Sequence, residues 1–104
     1  MRLMTQEEFD NLCEQLDEVR KLDGFDLCCM GTLDQFGRKS ILVYSVAAVI
    51  EQLISEGIAS RDDAWEYFHF NITGAYLGEG MPGFLDGEEH DELTWNAFLE
   101  RIKK

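Results

Sequence analysis

Apolar residues in this 104-residue chain recur at steps of three and four in four separate stretches, and the pattern breaks between them. A three-to-four step marks one buried face of an amphipathic helix, whereas a short β-branched run marks a strand. The helical stripes are Phe9, Leu12, Cys13, Leu16 and Val19; then Val46, Val49, Ile50, Leu53 and Ile54; then Ala64, Trp65, Tyr67, Phe68 and Ile72; and finally Trp95, Phe98, Leu99 and Ile102. Ser40-Ile41-Leu42-Val43-Tyr44 is the strand-like run. Phe25–Gly31, apolar and bounded by glycines, reads as its partner across the turn Asp34–Arg38. Gly83-Phe84-Leu85 offers a short third strand.

The stripes carry their own start and stop signals. Thr5 and Glu8 form a capping box that opens the first helix, which the stripe extends to about Lys21, with Arg20 and Lys21 in its last turn. Gly24 follows as a break. Ser45 caps the second helix, Val46–Glu56, and Gly57 stops it. Ser60 with Asp63 opens the third, which frays near Asn71–Gly74. Asp86–Glu92 is an acidic connector, and the fourth helix runs from about Asp91 to Lys103. The expected order is α-β-β-α-α-β-α. This is an α+β domain spanning 1–104, with a small, mostly antiparallel sheet packed against about four helices. A chain of this length builds one core, and 45% hydrophobic residues are enough to fill it.

Charge bounds the partners. Asp and Glu number 21 against 9 Lys and Arg, a formal net charge of −12. Nucleic acid phosphates and anionic membranes repel such a particle. No apolar run approaches the roughly 20 residues of a membrane span, and Met1–Asp10 has no apolar signal core. The expected location is the cytoplasm. Cys13, Cys28 and Cys29 are odd in number and lack CxxC spacing, which argues against a disulfide framework or zinc site. Adjacent strand positions would turn Cys28 and Cys29 to opposite faces, and Asp26 beside them would oppose a thiolate.

Motifs with chemical meaning are sparse. Gly78-Glu79-Gly80-Met81-Pro82-Gly83 fits GxGxxG, but it follows a helix, and Glu79 would repel a phosphate. Glu66 and His69 share a helix face at the spacing used in di-iron bundles, which need that pair twice and two further glutamates. Asp86–Glu92 is rich in oxygen ligands without the spacing of an EF-hand loop. His69 and His90 are the only histidines, and no nucleophile with a matched base is in view. No cofactor, metal site or catalytic residue is assigned, and the expectation is a non-enzyme.

The stretch Ala64–Leu85 contains an acidic-aromatic helix, then Asn71-Ile72-Thr73-Gly74-Ala75-Tyr76-Leu77-Gly78-Glu79, then Pro82 and a short apolar run. It resembles a family of small, acidic, uncharacterised proteins encoded mostly by bacteriophages, prophages and other mobile elements. Phe36-Gly37 through Tyr44, the helix after it and Gly57-Ile58-Ala59-Ser60 resemble that family's hairpin and helix, so the likeness covers roughly Gly31–Leu85. Two positions depart: Ser45 stands where an acid is expected, and Gly83 where an apolar strand residue is more usual. The resemblance implies a mobile-element setting and a bacterial host, and it brings no reaction.

Three functional readings follow. The first is an interaction protein that inhibits a host nucleic-acid-binding or defence protein, its carboxylates imitating phosphates. The candidate surface is Glu7, Asp10, Glu14, Asp17 and Glu18 on the first helix with Glu88, Glu89, Asp91 and Glu92 near the last. The second is a small-molecule or metal-binding module using the turn at Asn71, Gly74, Tyr76, Gly78 and Glu79. The third is a homodimeric accessory, which a solvent-facing Trp65 or Phe70 would signal.

Overall fold

A computed structural model describes residues 3–16, 20–22, 24–34, 37, 40–73, 81–87 and 92–103. The elements are α1 (Gln6–Gln15), a 3-10 turn (Asp26–Cys28), β1 (Cys29–Leu33), β2 (Ile41–Ser45), α2 (Val46–Ser55), α3 (Arg61–Tyr67), β3 (Gly83–Leu85) and α4 (Glu92–Ile102). A π-helical turn, Phe68–Thr73, continues α3. The class is α+β as expected, with four helices on a three-stranded sheet among the described residues.

Each predicted cap is in place. Thr5 Oγ1 accepts from Glu8 N–H at 3.2 Å, and Glu8 Oε1 accepts from Thr5 N–H at 3.0 Å. Ser45 Oγ accepts from Ala48 N–H at 3.2 Å, and Ser60 Oγ from Asp63 N–H at 3.1 Å. These bonds satisfy amides that a helix start would otherwise leave open. Gly57 follows α2 with a positive φ, a region that suits glycine.

The sheet has the order β1-β2-β3 and is mixed. β1 and β2 form the expected antiparallel hairpin, with Cys29 opposite Tyr44 and Leu33 opposite Ile41. The register slips between Cys29 and Gly31. Gly31 has a positive φ there, so a bulge bends the strand at the residue free to adopt that angle. β3 joins β2 in parallel, with Tyr44 opposite Phe84, which departs from the mostly antiparallel expectation. A crossover through α2 and α3 returns the chain in the same direction as β2, which a hairpin cannot do. Leu42 and Tyr44 alternate inward on β2 and are wholly buried. α2 covers them with Val46, Ala48, Val49, Ile50 and Leu53, and Phe9, Phe68 and Phe98 bring in the other helices. The Met4 amide donates to the Cys29 carbonyl at 2.9 Å, laying the N-terminal segment along the start of β1.

Three readings are corrected. α1 ends at Gln15, with Leu16 extended, so Arg20 and Lys21 are not in its last turn. A helix reaching Lys21 would bond the Leu22 amide back along its own axis. Here that amide donates to the Tyr44 hydroxyl on β2 at 2.9 Å, and Leu22 enters the core. Phe25–Gly31 is not a strand throughout: a 3-10 turn precedes β1, closed by Cys28 N–H to Phe25 C=O at 2.9 Å. Cys28 sits in the turn and Cys29 in the strand, and both are fully buried. Tyr67, expected inside, is 44% exposed.

α3 does not fray at Asn71 within the described residues; it widens. Ala64, Phe68 and Ile72 form the buried row at steps of four. A step of four overshoots an α-turn of about 3.6 residues and falls short of the wider π-turn. Switching from one to the other keeps all three beneath the same side of the helix. Phe68 meets Phe84 edge-on, with ring centroids 5.1 Å apart, and Trp65 at 5.9 Å. These aromatic contacts tie α3 to the sheet.

Candidate functional site: an acidic face and the cleft beside it

Thr5 sets the start of α1, and Phe9 anchors it in the core. Glu7, Asp10 and Glu14 then fall at steps of three and four on the outer side, and all three are exposed. The Gln6 side chain extends this row. Its Nε2 donates at 3.0 Å to Asp10 Oδ1 and at 3.0 Å to Asp26 Oδ2, so one amide bridges two carboxylates from separate elements.

Asp26 lines a cleft of about 670 Å³ together with Gln6, Gly24, Gln52, Glu56 and Arg101. Gln52, only 8% exposed, organises its wall. Its Oε1 accepts from the Cys28 thiol at 3.3 Å, and its Nε2 donates to the Gly24 carbonyl at 2.6 Å and to Glu56 Oε2 at 3.3 Å. The bonded amide therefore holds the turn before β1 against α2. Among the described residues, two carboxylates stand in the cleft against the single guanidinium of Arg101.

The thiols are poor nucleophiles in this setting. Burial pushes Cys29 up to about 11, and burial holds Cys28 well above the ordinary thiol value. Burial raises Cys13 as well. Each change keeps the thiol protonated at neutral pH, the reverse of an activated cysteine.

Of the acidic surface expected from the sequence, Glu7, Asp10, Glu14 and Glu92 are exposed. Asp17, Glu18, Glu88, Glu89 and Asp91 lie outside the described residues. Of the candidate turn, Asn71 is exposed in the π-helical segment, and Gly74, Tyr76, Gly78 and Glu79 lie outside the described residues. His69 stacks on Trp65, with ring centroids 5.7 Å apart. Among the described residues no three His, Cys, Asp or Glu side chains gather to hold a metal ion. No described helix is long and apolar enough to cross a membrane. Asp26, Gln6 and Glu56 are not legible from the sequence as parts of this face, because Gln6 and Asp26 are 20 residues apart and no local pattern joins them.

Comparison with protein-family models, with curated proteins and with solved structures gives no match for this chain.

Proposed function

We propose that the protein acts by protein–protein interaction, its acidic face engaging a basic host protein that binds nucleic acid, such as a defence protein. In this reading it is an inhibitor from a phage or other mobile element, working in the bacterial cytoplasm. The observation that supports it most directly is the Gln6 bridge, which joins the α1 row to Asp26 in one continuous acidic face. Glu7, Asp10 and Glu14 advance by about 4.5 and about 6 Å along the helix axis. Those steps are of the order of one to two times the axial rise of about 3.4 Å per phosphate on one strand of a DNA duplex. With a net charge of −12, the surrounding field attracts basic surfaces and repels polynucleotides.

The test is capture from bacterial lysate on the immobilised protein, with mass spectrometry of what elutes as salt rises. A discrete basic nucleic-acid-binding protein, held at low salt and released at high salt, is the expected result. Retention of the protein itself on a DNA column, or a captured set that ignores salt, overturns the proposal.

A further inference from the structure

The outer side of α3 carries a row that α1 does not. Asp62, Glu66 and Phe70 follow one another at steps of four, offset by two positions from the buried row Ala64, Phe68 and Ile72. Two positions turn a helix by about 200°, so this row points away from the core. The widening at Phe68 that keeps Ile72 inside also keeps Phe70 in line with Glu66. Phe70 is 75% exposed, Tyr67 beside the row is 44% exposed, and Asp63 is exposed at its start. Arg61 does not neutralise these acids, because its guanidinium is paired with Glu51 on α2. A solvent-facing aromatic ring in line with these carboxylates, at a π-turn of the kind that gathers at functional sites, calls for a partner.

We propose that the Asp62–Glu66–Phe70 row, with Tyr67 beside it, is the docking site for an arginine-bearing segment of the basic partner. The inference rests on the interaction reading above and names the part of the surface that selects the partner. A planar guanidinium stacks on an aromatic face while it donates to a carboxylate, and a lysine ammonium does the second far better than the first. A second copy of this chain is disfavoured, because a two-fold contact through this face would bring the same acid-bearing row, Asp62, Asp63 and Glu66, from both copies into one interface.

The experiment is an NMR titration of the ¹⁵N-labelled full chain with an octa-arginine peptide and, separately, an octa-lysine peptide. Octa-arginine is expected to bind more tightly and to shift the amides of Asp62–Phe70 first. Phe70→Ala should weaken octa-arginine by about two- to fivefold and octa-lysine by less, while Glu66→Gln weakens both. Phe70 is exposed, so its replacement leaves the core intact. Shifts confined to Glu7–Glu14, or equal affinity for the two peptides, overturn this inference and leave the acidic-face reading standing. Failure of both peptides to bind at low salt overturns the two together. A dimer in sedimentation that Phe70→Ala dissociates assigns the face to a second copy and also overturns it.

Discussion

Replacing Tyr44 by Phe removes one oxygen atom from the centre of the molecule. The ring keeps its place opposite Phe84, 6.1 Å between centroids, so packing is conserved. The loss is the acceptor for the Leu22 amide, held at 2.9 Å. Tyr44 is 0% exposed and Leu22 is 3% exposed, so water cannot replace that acceptor without opening the core. An orphaned buried N–H costs about 1–3 kcal/mol. For a domain of this size each kcal/mol lowers the melting temperature by about 4–8 °C. Equilibrium urea unfolding should show the midpoint of Tyr44→Phe falling by about 1 M with the slope unchanged. Tyr67→Phe, altered at an exposed residue, should stay within about 0.5 kcal/mol of the native chain. A Tyr44→Phe protein as stable as its parent refutes the claim that this hydroxyl turns the chain back after α1.

Three further outcomes are expected. Ser45→Ala removes the cap of the most buried helix at a position with no access to water. It should cost about 1–2 kcal/mol in the same urea assay. With a thiol-specific chromogenic reagent at mildly alkaline pH, Cys13 should react first, while Cys28 and Cys29 react only on unfolding, because both are fully buried. Stability measured against pH should fall as the solution is taken from about 9 to about 11. The Cys29 thiol ionises in the unfolded chain near its ordinary value of 9.0 but is held protonated to about 11 in the fold, so its contribution is complete below 9.0 and is lost as pH rises through about 11. Cys29→Ala should flatten that part of the profile.

The features legible in the sequence are those that depend on near neighbours. Thr5, Ser45 and Ser60 cap because the amide each one accepts lies three positions on. The α2 stripe and the hairpin follow from spacing alone. Where distant contacts decide, the reading fails: the end of α1 depends on Tyr44, the turn before β1 on Gln52, and the direction of β3 on a crossover of two helices. Tyr67 has helical spacing for the core, yet Ala64, Phe68 and Ile72 take the buried side and leave it outside. The acidic row of α1 is legible as carboxylates on one helix face. Its continuation to Asp26 is not, since it runs through a side-chain amide between distant elements.

The most direct measurement of the acidic-face proposal is release of a labelled DNA duplex from the captured partner, followed by fluorescence anisotropy as this protein is added. The native chain should free the duplex, and Glu7→Gln/Asp10→Asn/Glu14→Gln should do so at least tenfold less effectively. Anisotropy that stays high or rises, because protein and duplex sit on the partner together, contradicts the account, as does equal release by the neutralised variant.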